Sequence, residues 1–283
     1  MAKKEKRQKK DSVLATLADE KYLDHAKQLF SSAFRKGNWR GDFALIAYNI
    51  AHEKLSWFRD KGIYIIHCAQ FENPRAGHYA DSIYLAKWKM FEPEFRDWKN
   101  VAYLDADIIV RGSIAQLATA KGFFALPDMS GADVYYQFLK PTSIQEHWSS
   151  VQHEEYLKLI ALPIDLRTRS FNAGVLVFST ESVPKDASES LHKLIEEYRN
   201  VNRFGDQSIM NIYFHGKWSP LPQTFNFFYP AAVSQQIPPP MVNVAVVHFG
   251  GFAVKPWNPV SLFHGEWKEN LEAAESTDFG GGD

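Results

Sequence analysis

A chain of 283 residues, 45% hydrophobic and 23% charged, is long enough to bury a sizeable core as one large α/β domain or two smaller ones. Its 32 basic and 33 acidic side chains leave a formal net charge of -1, which argues against a general nucleic-acid binder. Cys68 is the single cysteine, so no intramolecular disulfide can form and a reducing, cytoplasmic compartment is the natural expectation; no apolar run reaches the roughly 18 residues of a membrane span. Lys3, Lys4, Lys6, Arg7, Lys9 and Lys10 crowd the start of the chain. They read as a basic, flexible tail over residues 1–11, whose only special role would be a weak peripheral contact with the inner membrane face, at about 1 kcal/mol per basic residue.

Ser12 to Ala18 is an apolar run that predicts a strand. Asp19-Glu20 follow, and then an amphipathic helix from Lys21 to Lys36, in which Leu23, Ala26, Leu29, Phe30 and Ala33 recur at helical spacing. Asp42 to Ile50 predicts a second strand, Ala51 to Lys61 a helix closed by Gly62, and Ile63 to Cys68 a third strand. Such alternation implies a mostly parallel sheet with helices on both faces. Tyr79 to Phe95 reads as a helix carrying Lys87 and Lys89. Phe123 to Leu126 predicts a short strand that runs into Pro127-Asp128. Residues 129–170 are polar and irregular, with a helix expected from Gln152 to Ile160, and read as an insertion over the site rather than a separate domain.

Phe171 to Phe178 predicts a strand with a polar entry, where Asn172 and Gly174 suit a close backbone approach to a ligand; a plain turn before a core strand fits the same residues. Lys185 to Tyr198 predicts a helix. Gly205-Asp-Gln opens another, with Asp206 in its first turn, a place that a carboxylate also occupies simply to complement the helix terminus. Leu221 to Tyr229 and Pro238 to Pro240 are loop-like, and Val242 to Phe249 is a last apolar strand that carries His248. The segment 266–283 is expected to be a flexible C-terminal tail.

The stretch Val101-Ala-Tyr-Leu-Asp-Ala-Asp-Ile-Ile-Val110 stands at the centre of this pattern. It reads as one buried strand ending in charge, with Asp105 and Asp107 on the same side because strand residues i and i+2 share a face. Two ionised carboxylates in apolar surroundings need partners, and oxygen donors of this kind suit a hard divalent cation such as Mg²⁺ or Mn²⁺. His248, at another strand end, taken alone reads best as a satisfied core histidine; paired with the two aspartates, its imidazole would complete a metal site. Gly250-Gly251 would let the backbone come close to a bound group, and the point charge of Lys255 suits a phosphate. No Gly-x-Gly-x-x-Gly and no Gly-Lys-Ser/Thr loop is present to bind phosphates in the other familiar ways.

Tyr103-Leu-Asp-Ala-Asp-Ile-Ile-Val110, Phe171-Asn-Ala-Gly-Val-Leu-Val-Phe178, Gly205-Asp-Gln207, and His248-Phe-Gly-Gly251 with Lys255-Pro-Trp-Asn258 together resemble the ordered motifs of glycosyltransferase family 8, the glycogenin-like retaining enzymes. The resemblance spans about residues 12 to 260. It implies an α/β GT-A fold over 12–265, a UDP-sugar donor carrying glucose or galactose, and Mn²⁺, with Mg²⁺ as the alternative. It also implies roles. Asp105, Asp107 and His248 would hold the metal against the diphosphate, and Gly251 and Lys255 would contact phosphates. Leu17, Ala18 and Tyr22 would hold the uracil. Lys87, Tyr103, Ala106, Asp128, Asn172 and Ala173 would line the donor, and Asp206 and Gln207 would face the reacting centre.

On this reading the partners are a nucleotide sugar and a glycan or glycolipid acceptor, with no nucleic acid; the oligomeric state, a homo-oligomer included, is left open. Two other classes fit parts of the pattern. One is a metal-dependent sugar-nucleotide hydrolase or nucleotidyltransferase, and the other is a non-catalytic glycan-binding member of the same family.

Overall fold

A computed structural model describes residues 9–69, 83–128, 131–141, 148–229, 237–251 and 254–280. The first strand, β1 (Lys10–Ala18), starts inside the segment expected to be a tail, so Lys10 and Asp11 belong to the sheet; residues 1–8, and with them most of the expected membrane contact, lie outside the described residues. Asp19 then caps a 3-10 turn, Glu20–Tyr22, its carboxylate accepting from the Lys21 and Tyr22 amides, and α1 (Leu23–Arg35) follows. β2 (Asp42–Tyr48), α2 (Ser56–Asp60) and β3 (Tyr64–Cys68) complete a first half. Gly62, at φ 71°, makes the turn into β3.

The helix expected from Tyr79 to Phe95 is corrected. Its first residues lie outside the described ones, and the rest forms two 3-10 segments, Ile83–Phe91 and Pro93–Asp97. Pro93 forces the break, because a residue before proline is driven out of helical geometry, and Glu92 is extended at φ -78°, ψ 169°. The expected single strand through Asp105 and Asp107 is also two. β4 (Trp98–Leu104) ends at the first aspartate, and β5 (Ile108–Val110) starts after the second, in a different sheet.

Further along come β6 (Phe123–Pro127), α3 (Ser150–Ile160), β7 (Phe171–Ser179), α4 (Ala187–Tyr198), α5 (Asp206–Tyr213), β8 (Ser219–Pro220), β9 (Phe227–Phe228) and β10 (Val246–His248). α3 begins at a capping box between Ser149 and Gln152. Within the segment read as an insertion, Val134, Phe138 and Leu159 are buried in the main core.

The last element, α6 (His264–Ser276), overturns the expectation of a flexible tail. Trp267, Leu271 and Ala274 recur at helical spacing and face inward, and Phe279 beyond them packs against Phe34, Phe43 and Trp57. Glu266 pairs with Arg111 at 3.0 Å and with Lys36 at 3.7 Å, which fastens α6 to the start of the small sheet and to the end of α1.

Seven strands form one sheet in the order β3-β2-β1-β4-β7-β6-β8, and β5-β10-β9 form a second. β1 pairs in parallel with β2 and β4, and β2 with β3, while β7 runs antiparallel between β4 and β6. Strand alternation distributes the apolar side chains to two cores, one on each face. Val101, Tyr103, Leu176 and Phe178 enter the first, and Ala102, Leu104, Val175 and Val177 the second. The order of the strands reverses between β1 and β4. Ligands in open α/β sheets bind outside the carboxyl ends of strands at such a reversal, and here that point lies beside Ala18 and Asp105.

Candidate functional site

At this reversal a cavity of about 440 Å³ opens, within the usual range for a small-molecule site. Its floor is the Asp105-Ala106-Asp107 bend. The Asp105 amide donates to the Gly174 carbonyl at 2.9 Å, and the Asp107 carbonyl accepts from the Phe249 amide at 3.1 Å, so each sheet holds one aspartate. β10 runs antiparallel to β5 with His248 opposite Ile108, which brings the imidazole next to Asp107.

Asp105, Asp107 and His248 offer ligand atoms that all lie within 4.8 Å of one another. His248 Nε2 is 3.3 Å from Asp107 Oδ1 and 3.7 Å from Asp105 Oδ2. Nδ1 faces Asn226 Oδ1 at 2.9 Å, and because an amide oxygen only accepts, the proton sits on Nδ1 and the lone pair of Nε2 points at the aspartates. Two lysines flank the group. Lys255 Nζ is 2.6 Å from Asp107 and also donates to the Phe249 carbonyl. Lys87, almost fully buried, reaches Asp105 at 3.1 Å, Asp206 at 2.9 Å and the Ala173 carbonyl at 3.1 Å.

Three carboxylates against two ammonium groups leave one negative charge over, with His248 counted as neutral. That excess and the oxygen, oxygen, nitrogen donor set fit a divalent cation. Burial pushes the Asp107 carboxyl up, but the positive charges that face it, an imidazolium form of His248 and then Lys255, outweigh burial and hold the group well below the usual carboxylate range; with His248 neutral, Lys255 is the cation that remains. Burial, with Asp105 nearby, lifts Asp206 above the ordinary carboxylate value against the pull of Lys87. Burial also works against the charge on Lys87, yet Asp105 and Asp206 raise its pKa above the ordinary value.

Gly174 is what lets the imidazole sit where it does. A Cβ there would lie 2.1 Å from His248 Cε1 and 2.7 Å from Nδ1. Gly174→Ala is therefore expected to push His248 off the aspartates, to cost about 1–3 kcal/mol of stability, and to weaken the binding of any divalent cation held there by at least about tenfold. Titration of Mn²⁺ against intrinsic fluorescence checks the binding, and unchanged affinity would count against the metal site.

The expected site residues gather here with two exceptions. Leu17, Tyr22, Lys87, Tyr103, Asp105, Ala106, Asp107, Asn172, Ala173, Asp206, Gln207, His248, Gly251 and Lys255 all line the cavity. Ala18 does not. The alternation that turns Leu17 toward the cavity turns Ala18 into the opposite core, where it is fully buried. Asp128 stands one layer back, 3.4 Å from the amide nitrogens of both Gln137 and Gln207.

Gln207 is held at both ends of its amide. Its Oε1 accepts from Asn172 Nδ2 and from the Ala173 amide, and its Nε2 donates to Gln137 Oε1 at 3.1 Å. Asn172 Oδ1 accepts in turn from Asn226 Nδ2 and from the Gly174 amide. A chain of amides thus links Gln207 to the imidazole. Gln137 and Asn226 carry no signal in the sequence, because a lone amide bonds to almost anything within reach. Ile83, Tyr84, Phe204 and Phe228 also line the cavity, and only their apolar or aromatic type hinted at it.

An aromatic group buttresses one wall. His25 stacks on Trp257 with ring centres 3.8 Å apart, and both meet Tyr22 edge-on. Burial lowers the His25 pKa from 6.5 to about 4. The unfolded chain therefore takes up a proton between about pH 6.5 and 4 that the fold refuses, so stability falls as pH drops through that window. The expected loss is about 2–3 kcal/mol, and His25→Phe should flatten it in urea melts from pH 7 to 4.

A sheet with this strand order, an Asp-x-Asp bend at its reversal point and a small second sheet that supplies a histidine is the GT-A architecture. The chain belongs to glycosyl transferase family 8, whose family model matches residues 13–260. It is 27% identical over 276 residues to glycosyltransferase GlyF of Streptococcus pneumoniae, an alignment that covers 90% of this chain and 58% of that protein. It is 25% identical over 175 residues to galactinol synthase 5 of Arabidopsis thaliana, covering 58% of this chain and 48% of that one. The chain thus spans about half the length of these curated relatives. Among solved structures, galactosyltransferase LgtC in complex with donor and acceptor sugar analogs shares the fold at 20% identity with a TM-score of 0.63, covering 93% of this chain and 95% of that one. GlyE of Streptococcus pneumoniae does so at 22% identity with a TM-score of 0.63, covering 94% of this chain and 60% of that one. Among the described residues no helix is long and apolar enough to cross a membrane.

Proposed function

We propose that this protein is a retaining, Mn²⁺-dependent glycosyltransferase that moves a hexose, glucose or galactose, from a UDP-sugar to a glycan or glycolipid acceptor. The observation that carries this reading is the convergence of Asp105, Asp107 and His248 within 4.8 Å, beside two lysines and the Asp206-Gln207 pair. Asp105, Asp107 and His248 are the residues that would hold Mn²⁺, with Mg²⁺ as the alternative. When bound, the cation supplies Lewis-acid stabilisation of the negative charge that grows on a departing diphosphate.

The chain's own residues do the rest. Lys255 donates to a phosphate oxygen as negative charge builds there, giving up part of its bond to Asp107. Leu17 and Tyr22 form the wall for the base. Asp206, paired with Lys87, stabilises positive charge on the sugar, either as an ion-pair partner or as a nucleophile that forms a glycosyl ester later broken by the acceptor hydroxyl. Gln207, immobilised through Asn172, Ala173 and Gln137, positions the sugar above it.

A panel of nucleotide sugars, screened by thermal shift with and without Mn²⁺, tests the donor. A UDP-hexose that binds only the folded state should raise stability by about 2.7 kcal/mol at a hundredfold excess over its Kd, and only when metal is present. NMR of the product then reads the anomeric configuration. Inversion overturns retention, and sugar release at the same rate with and without acceptor would mark a hydrolase instead.

A further inference from the structure

We propose that the cavity rim carries an acceptor subsite for an anionic sugar, formed by Tyr136, Phe204 and Arg203 with Lys140 beside them. The proposal rests on the glycosyltransferase reading and adds the chemical class of its acceptor. The two segments that build the rim are the same ones that fix the reacting face. Asp133 caps the 3-10 turn Val134–Gln137, accepting from the Tyr136 amide at 2.7 Å. Within that turn Gln137 is fully buried and bonded to Gln207, so its neighbour Tyr136 is anchored at the edge of the site with 40% of its surface exposed. On the other segment, Arg203-Phe204 immediately precede Gly205-Asp206, and Phe204 itself lines the cavity. The Arg203 amide donates to the Gln137 carbonyl at 3.1 Å, which ties the two segments together.

The side chains form a platform. The rings of Tyr136 and Phe204 lie nearly parallel, 29° apart, with centres separated by 6.1 Å. The Arg203 guanidinium sits 4.4 Å from the Tyr136 ring centre and 5.0 Å from that of Phe204. Lys140 Nζ is 4.2 Å from the Tyr135 ring and 5.7 Å from that of Tyr136. Arg167 joins the group over Tyr135 but is neutralised by Asp133 at 3.1 Å. Among the described residues, neither Lys140 nor Arg203 has a carboxylate partner.

Stacking on a ring uses only the face of a guanidinium and leaves its N–H edge free. That edge is the fork that matches a carboxylate or a phosphate. An exposed aromatic surface beside it takes the apolar face of a pyranose. A sugar lying on this platform would present a hydroxyl to the donor in the cavity while its anionic substituent meets Arg203 and Lys140. A neutral glycan would leave two cations unanswered at the mouth of the site.

Saturation-transfer NMR on the protein loaded with UDP and Mn²⁺ tests this, using methyl β-glucuronide against methyl β-glucoside and glucose 6-phosphate against glucose. The anionic member of each pair should bind about tenfold or more tightly, and the preference should shrink at high salt. A preference in one pair only identifies carboxylate or phosphate as the group that is read. Arg203→Met should remove the preference while leaving UDP affinity unchanged, and Arg203→Lys should restore part of it. Equal binding of charged and neutral sugars by the wild type, or a preference that survives in Arg203→Met, overturns the proposal. Failure of UDP to bind in the presence of Mn²⁺ overturns the UDP- and Mn²⁺-dependent reading on which this acceptor site rests.

Discussion

Asp107→Asn is expected to lower hexose transfer from a UDP-sugar by about 10³-fold and to abolish the metal-dependent thermal shift, while the protein still folds. Asp107 is the carboxylate that faces both the imidazole, at 3.3 Å, and Lys255, at 2.6 Å. Asparagine keeps its shape and loses its charge, so the cavity no longer carries an excess negative charge to attract a cation. Its pH behaviour separates the two states. Asp107 ionises in the fold well below its ordinary value of 3.8, so its contribution to stability is present above that value and is lost as pH falls below it. The variant should therefore be flatter than the wild type in melts taken from pH 4 downward. Turnover near the wild-type rate would remove Asp107 from the metal site and the enzyme reading with it.

Lys87→Met should cost about 3–5 kcal/mol of stability, the largest loss expected from any single change at the site. Lys87 is only 3% exposed, and its removal leaves Asp105, Asp206 and the Ala173 carbonyl without their shared donor. Two buried carboxylates would then repel each other, and Asp206 would hold its proton to still higher pH. Lys87 titrates above its ordinary value of 10.5 in the fold, so its contribution is complete below 10.5 and is lost only as pH rises beyond that. Lys87 itself therefore adds no pH dependence between pH 6 and pH 9, and a destabilisation that is smaller at pH 6 than at pH 9 reports the proton that Asp206 keeps in the variant. Urea melts measure it, and the double variant Lys87→Met with Asp206→Asn should recover a large part of the loss. A loss below about 1 kcal/mol would show that the pair is not a buried one.

Much of the fold could be read along the chain because its strands are buried on both faces. Ser12 to Ala18 and Phe171 to Phe178 announced themselves as continuous apolar runs, which is what a sheet covered on two sides requires. What misled was geometry that depends on distant partners. Nothing local to Asp105-Ala106-Asp107 says that the chain leaves one sheet there, because β5 is defined only by its pairing with β10, more than a hundred residues later. Leu17 and Ala18 look alike in a list of apolar neighbours, yet the strand period sends one to the cavity and the other away from it. The gathering of Asp105, Asp107 and His248 was legible because carboxylates and imidazole carry distinctive chemistry. The amides of Gln137 and Asn226 that hold Gln207 and His248 in place were not, since amides bond to almost anything within reach.

The bend that hands the chain from one sheet to the other has a consequence for synthesis. The two aspartates are translated early and His248 late, and the small sheet that carries the imidazole is pinned by Glu266 of α6 through Arg111. The large sheet alone thus frames the aspartates without the imidazole. The set of three ligands is complete only where β10 is paired with β5, which ties the grip on a cation to the docking of one sheet on the other.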